Sequence, residues 1–237
     1  MKVDYFEHYK RVNDLSEHGR KSHWGPFERT LGRFLPENRN ANIVDIGCGA
    51  GVLLEWLLSK GYTHVRGYDC DAGQVSFCQS LKLPVEQADD SAEQLGQCRN
   101  VDLVVIKDVL EHMGKEDVAR LLVAARQALA PGGRIYISVP NAAASYATYW
   151  LYNDPTHMRS YSANVLSLEL AIAGFRVKHV GDDDTTAFSS PFGIIRLMLR
   201  SFFRFWRRLE AIGEYGAEGL RLPLGLNLVV VAECDVA

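Results

Sequence analysis

The sequence predicts an α/β protein in which one mostly parallel sheet of seven strands is covered by helices on both faces. Two observations predict it. Short β-branched apolar runs alternate with longer segments of helical periodicity, and the first such run passes directly through Gly47-Cys48-Gly49-Ala50-Gly51 into the first long helical segment. At 237 residues and 47% hydrophobic content the chain can bury one substantial core, so a single domain, 1–237, is expected.

Strands are predicted near Ile43 to Ile46, His64 to Tyr68, Pro84 to Ala88, Val101 to Ile106, Arg134 to Val139, Phe175 to Val180 and Asn227 to Glu233. Helices are predicted at Val52 to Lys60, Ala72 to Ser80 and Glu116 to Leu129, the last stopped by Pro131-Gly132-Gly133. Two stretches break this rhythm. Residues 1–40, carrying Tyr5, Phe6, Tyr9, Trp24 and Phe27, read as an N-terminal helical cap, and residues 182–225 as a helical insertion between the last two strands. Both are expected to decorate the sheet's carboxyl edge, leaving 41–181 and 226–237 as the core.

A net charge of -3 gives no electrostatic reason to expect nucleic acid, whose backbone asks for a concentrated basic surface. The five cysteines are scattered and none forms a C-x-x-C pair, so a reduced, cytoplasmic setting is expected, and no metal-ligand set is read from the sequence. Residues 1–8 lack the apolar stretch of a signal peptide. No apolar run approaches the ~18 residues of a membrane span, so the chain is not expected to cross a bilayer.

The glycine loop is a backbone device: glycines let the chain turn sharply and approach a ligand at a helix N-terminus. The dinucleotide fingerprint G-x-G-x-x-G/A would need a small residue at position 52, where Val52 stands, and Gly51 instead gives the tighter G-x-G-x-G spacing. This disfavours a nicotinamide oxidoreductase. Asp69, at the end of the next strand, stands where a carboxylate can accept both ribose hydroxyls of an adenosine cofactor. After the third strand come Asp89, Asp90 and Ser91, one of which can meet the adenine amino group.

These residues resemble the class I S-adenosylmethionine-dependent methyltransferases, particularly the branch that includes ubiquinone-biosynthesis O-methyltransferases and glycan-cluster methyltransferases. Val44-Asp45-Ile46-Gly47-Cys48-Gly49-Ala50-Gly51 is similar to the family's first motif and Gly67-Tyr68-Asp69 to its second-strand acid. The stretch Asp102 to Met113, with Leu110-Glu111-His112 near its end, resembles the fourth-strand signature. Leu129-Ala130-Pro131-Gly132-Gly133 and Val139-Pro140-Asn141 resemble the turn and fifth strand. One departure is Ser91, which stands where the family often has an aspartate. The resemblance implies a Rossmann-like sheet with its last strand antiparallel, and S-adenosylmethionine as cofactor. It also implies that Gly47 and Gly49 approach the methionine part, that Asp69 holds the ribose, and that Lys107 lies beside the cofactor through its backbone. The candidate cofactor-binding residues are therefore Asp45, Gly47, Cys48, Gly49, Gly51, Asp69, Cys70, Asp89, Asp90, Ser91 and Lys107.

Methyl transfer from a sulfonium is an in-line displacement, so the protein aligns the acceptor and, for a hydroxyl, helps remove its proton. His112 and His157 are the candidate catalytic residues, because histidine titrates near neutrality and both follow strands at the expected edge. Tyr146, Tyr149, Trp150, Tyr152 and Tyr161, with Tyr5, Tyr9 and Trp24, can either wall a ring-bearing or sugar acceptor or simply attach the N-terminal segment to the sheet. The expected activity is O-methylation of a small-molecule, glycan or lipid-linked acceptor. A non-catalytic cofactor-binding partner or regulatory module is the alternative.

Between Gly193 and Leu209, Arg196, Arg200, Arg204 and Arg208 recur every four residues opposite a wide apolar face. The first expectation is a cap or dimer helix that buries its apolar face on the sheet or a second subunit and leaves the arginines in water. The second is reversible contact with a membrane surface.

Overall fold

The computed structural model describes residues 5–183 and 191–234. The cap residues 1–4, the insertion residues 184–190 and the last core residues 235–237 lie outside the described residues, as does the side chain of Tyr5. Seven strands follow one another as β1 (Asn42–Ile46), β2 (His64–Asp69), β3 (Val85–Gln87), β4 (Val101–Lys107), β5 (Leu129–Pro140), β6 (Phe175–Asp182) and β7 (Asn227–Cys234). They form one sheet in the order β3-β2-β1-β4-β5-β7-β6. Strands β1 to β5 pair in parallel, and β7 runs antiparallel to both β5 and β6. The seven-stranded, mostly parallel sheet with its last strand reversed is therefore present.

Ten α-helices occur among the described residues: α1 (Tyr5–Val12), α2 (Glu17–Ser22), α3 (Trp24–Thr30), α4 (Val52–Ser59), α5 (Ala72–Ser80), α6 (Ser91–Gln97), α7 (Lys115–Ala128), α8 (Ala147–Asn153), α9 (Ala163–Ile172) and α10 (Pro191–Tyr215). Neighbouring strand residues point to opposite faces. Val44, Val104, Ile106, Ile135 and Ile137 pack on one side with Leu121, Leu122 and Ala125 of α7 and Leu166 and Leu170 of α9. Ile43, Leu103, Val105 and Tyr136 pack on the other with Leu53, Trp56 and Leu57 of α4.

Three features differ from expectation or were not expected, each for an identifiable reason. β5 starts at Leu129, which already pairs with Val101; the register then breaks across the Pro131-Gly132-Gly133 turn before regular pairing resumes at Leu103 and Arg134. α6 begins at Ser91 because the Asp90 side chain accepts from the backbone N–H of Ala92 and Glu93. The cap is not confined to the sheet's edge. Phe27 and Leu31 enter the second core, and the Phe27 and Trp56 rings stand 5.6 Å apart, because the face of β1, β4 and β5 left bare beside α4 needs a cover. Arg20 fastens this cap through two hydrogen bonds to the Glu55 carboxylate of α4, at 2.9 and 3.1 Å.

Candidate functional site

The chain leaves β1 at Ile46 and turns through three glycines with left-handed backbone angles: Gly47 at φ 67°, Gly49 at 53° and Gly51 at 71°. They serve different ends. A Cβ at Gly47 would lie 2.3 Å from a methyl of Val109, and one at Gly51 2.6 Å from Leu83, so these two permit close packing. A Cβ at Gly49 would meet nothing closer than the Gln74 side chain at 3.7 Å, an ordinary contact, so of the three only this glycine leaves room for a methyl-sized group above the turn. Cys48 is buried, its thiol held well above the ordinary range by Cys78 beside it, by burial and by nearby acids.

Asp69 ends β2 and ties the loop down. One carboxylate oxygen accepts from the Gly49 N–H at 2.8 Å and the other from the Asp71 N–H at 2.9 Å. Burial raises its pKa against the pull of these hydrogen bonds. Asp45 is almost fully buried at the end of β1; burial first, then repulsion from Asp69, pushes it up to about 8, with Lys107 pulling the other way. Lys107 ends β4 and pairs with Asp108. Burial would lower its pKa, but Asp108 and Asp183 more than compensate, and the amine is held firmly protonated. Over this edge α1 carries Tyr9, raised by burial and surrounded by the charges of Lys107, Asp108 and Asp69.

On the far side of β2, Cys70 is exposed and its backbone carbonyl accepts from Gln87. Asp90 is committed elsewhere: besides capping α6 it pairs with Arg120 at 2.8 Å. Asp89 is exposed, and Ser91 opens the helix.

The opposite half of the edge holds a cleft of about 330 Å³ lined by Asp108, Glu111, Pro140, Trp150, His157, Asp183, Leu226 and Asn227. Asp108 adopts φ 55°, a left-handed conformation uncommon outside glycine, and Asn227 donates to its carboxylate at 3.1 Å. His112 and His157, which sequence reading treats separately, are neighbours with ring centroids 4.6 Å apart. His112 bonds through Nδ1 to the Thr156 hydroxyl at 2.8 Å, and His157 through Nδ1 to the Trp150 carbonyl at 3.0 Å. Burial, then His157, lowers the His112 pKa. Glu111 completes the cluster. It is 1% exposed, its Oε2 has no hydrogen-bond partner, and burial followed by Asp108 pushes its pKa up to about 8. Asp108 and Glu111 were not among the predicted site residues. The available signal was their spacing in Asp108-Val109-Leu110-Glu111-His112, which puts both at the carboxyl end of β4.

The aromatics divide. Trp150 lines the cleft, Tyr161 is buried with its hydroxyl donating to the Leu110 carbonyl at 3.3 Å, and Tyr146, Tyr149 and Tyr152 face outward. α10 overturns the expectation that its apolar face lies against the sheet with its arginines in water. Of the four arginines in the expected stripe Arg196 is exposed, but Arg204 pairs with Asp182 and Arg208 donates to the carbonyls of Gly219 and Leu222, and Arg207 beside them donates to the Ala143 carbonyl, so these three turn inward. Ile194, Ile195, Met198, Leu199, Phe202, Phe203, Phe205 and Trp206 are each more than half exposed. The physical reason is that backbone carbonyls at the ends of β5 and before β7 need donors, and the arginine side supplies them. No helix among the described residues is long and apolar enough to cross a membrane.

The profile of a protein family described as "Methyltransferase domain" matches residues 18–180. Among curated proteins, the chain is 34% identical over 107 residues to the ubiquinone biosynthesis O-methyltransferase of Aeromonas salmonicida (strain A449), covering 42% of this chain and 43% of that one. It is 32% identical over 118 residues to the protein of the same name from Hydrogenovibrio crunogenus, covering 47% of each. The match thus spans less than half the length of these relatives. Among solved structures, a SAM-dependent methyltransferase from Archaeoglobus fulgidus superposes with a TM-score of 0.67 at 23% identity, covering 97% of this chain and 100% of that one. An S-adenosylmethionine-dependent methyltransferase from Mesorhizobium loti superposes with a TM-score of 0.55 at 21% identity, covering 90% and 97%. At these identities the structures share the fold.

Proposed function

The chain belongs to the class I S-adenosylmethionine-dependent methyltransferase family, and from that premise we propose that it transfers a methyl group to a hydroxyl of a small acceptor held in the Trp150 cleft. S-adenosylmethionine is the cofactor; when bound, it supplies an electrophilic methyl group on a sulfonium. The residues fit it. Gly49 leaves room for a methyl-sized group, Asp69 holds the Gly49 N–H, and Asp45 stands near enough to Asp69 for the two acids to repel, which suits a ligand that is cationic near one end and carries a ribose diol. In this reading Asp69 accepts the ribose hydroxyls with lone pairs left over from its two backbone hydrogen bonds. Gly47, Cys48 and Gly51 shape the loop, and the Lys107 backbone borders the methionine portion. Cys70, Asp89 and Ser91 line the adenine side, where Asp90 contributes as a helix cap.

The observation that carries the hydroxyl acceptor is the clustering of His112, His157 and Glu111 at the cleft, with Glu111 Oε2 left without a hydrogen-bond partner. Such a cluster orients a hydroxyl and takes its proton as the oxygen becomes the nucleophile. Tyr9 and the rest of the cap exclude water from the cofactor side. The relatives named for ubiquinone biosynthesis support an O-linked product, and the wide exposed face of α10 suits an acceptor carried on a lipid or glycan. The domain reading follows: 1–40 as cap, 41–181 and 226–237 as core, and 182–225 as insertion.

The test is a turnover screen with labelled methyl donor against phenols, carboxylates, amines and sugar nucleotides. Methylation of a hydroxyl compound, lost in a Trp150→Ala variant that still binds S-adenosylhomocysteine, is expected. Cofactor binding without turnover on any class, or on extract, would leave the chain a regulatory module.

A further inference from the structure

Along α10, Ile195, Leu199, Phe202, Trp206 and Leu209 are spaced four, three, four and three residues apart. That alternation is the seam of a coiled coil, which repeats every seven residues and keeps one apolar line facing a partner helix. All five side chains are exposed, because the opposite side of α10 is fastened to the body by Arg204, Arg207, Arg208 and the buried Ala211. A helix that only capped its own domain would turn this seam inward. With Met198, Phe203 and Phe205 beside it, the seam presents eight large apolar side chains between 42% and 67% exposed. At roughly 100 Å² of open surface each they make about 800 Å², what one partner contributes to a stable interface.

The flank of the seam selects the partner. Arg196, Phe203 and Glu210 are seven residues apart, so they stand in one row along that flank, and all three are exposed. When two such helices pair antiparallel, each flank meets its own counterpart running the other way. A two-fold axis through Phe203 then sets Arg196 of each copy against Glu210 of the other. In parallel pairing the same row would meet Met198 and Phe205 and leave both charges unmatched. A lipid surface fits less well. Three arginines of the helix are engaged by the body, and Glu210 and Glu214 stand exposed toward its C-terminal end, where anionic headgroups would repel them.

We propose that α10 is a dimerisation helix whose exposed seam packs antiparallel on α10 of a second copy of this chain, with Arg196 and Glu210 paired across a two-fold axis. An interface of this kind is self-complementary and closes at two copies. The pairing reaches the cleft indirectly. Arg207 holds the Ala143 carbonyl ahead of α8, which carries Trp150, and Arg204 holds Asp182, next to Asp183. It stands whatever the cleft binds.

Sedimentation velocity over a concentration series of the full chain reads the pairing, and charge reversal reads its direction. A reversible dimer is expected. Arg196→Glu and Glu210→Arg each set like charges across the axis twice, so each should raise the dimer dissociation constant by about 10-fold. The double variant Arg196→Glu/Glu210→Arg restores opposite charges and should return the constant to near wild type. An equimolar mixture of the two single variants should associate as well as the wild type, because each copy then complements the other. Both positions are exposed, and circular dichroism on every variant checks that the helices are kept. A wild-type chain that stays monomeric throughout, a dimer indifferent to both single reversals, or a double variant as weak as the singles overturns the pairing. So does binding of a monomeric chain to vesicles of anionic lipid that Arg196→Glu lowers and Glu210→Arg raises, which would give the face to a membrane surface.

Discussion

The carboxyl edge of the sheet is built in two ways. Around β1 and β2 the chemistry lies in short contiguous stretches, Asp45 to Gly51 and Asp69 to Asp71, where backbone turns and a carboxylate bonded to two N–H groups do the positioning. Beyond β4 the cleft draws Asp108 and Glu111 from the loop after β4, Trp150 from α8 and His157 from the loop after it, and Leu226 and Asn227 from the start of β7. A site made of backbone geometry must be written locally, since only particular residues allow left-handed angles. A site made of side chains can be assembled from anywhere the fold brings together, and its parts carry no fixed spacing.

If the first half depends on backbone geometry, its glycines should fail in different ways. Gly47→Ala forces a left-handed alanine and drives its Cβ to 2.3 Å from Val109, so a loss of about 2–4 kcal/mol of stability is expected. Gly49→Ala carries the backbone strain alone, about 1–2 kcal/mol, but occupies the room above the turn, so cofactor affinity should fall further than stability does. Denaturant unfolding and calorimetry on both variants separate the effects. Equal losses of stability would mean that Gly49 is as tightly packed as Gly47.

Asp69→Ala is the next largest. It should weaken S-adenosylhomocysteine binding by about 1.5–3 kcal/mol through the loss of charge-assisted hydrogen bonds. Because the carboxylate also holds Gly49 and Asp71, some stability should go with it. An affinity unchanged in a folded Asp69→Ala would remove this residue from the cofactor site.

The same division explains how much could be read in advance. The succession of strands and helices along the chain follows from alternating apolar runs, the reversed last strand came only from the resemblance, and the glycine loop with Asp69 is visible because turn chemistry restricts residue type. Lys107 stood out only through a resemblance, and its pairing with Asp108 needed the fold. Glu111 lay in a recognised motif but its burial could not be read from the sequence, and the meeting of His112 with His157 was hidden because it depends on how the loop after β5 folds back to let Met158 N–H reach the Glu111 carbonyl at 2.8 Å. α6 and α9 are capped by Asp90 and Ser162, signals present in the sequence but outweighed by the stronger apolar segments around them.

The smallest expected effect separates two amphipathic helices, α7 and α10. α7 turns Leu121 into the core with no exposure, and Leu121→Ala should cost about 2–5 kcal/mol. α10 also has an apolar side, but Arg204, Arg207 and Arg208 hold the body and its aromatics face outward, Phe203 at 60% exposed. In an isolated chain Phe203→Ser removes no intramolecular burial of consequence, so its unfolding free energy should stay within about 0.5 kcal/mol of wild type. Exposed aromatics in a contiguous patch are also an association surface. Sedimentation velocity and vesicle co-sedimentation should therefore respond to Phe203→Ser even though unfolding does not. Loss of a dimer would give the face to a second copy. Loss of salt-sensitive binding to anionic vesicles would give it to a membrane surface, where basic residues add roughly 1 kcal/mol each near the lipid. A destabilisation of Phe203→Ser as large as that of Leu121→Ala, at concentrations where the chain is monomeric, would instead show that the helix packs inward and that the contrast between α7 and α10 is wrong.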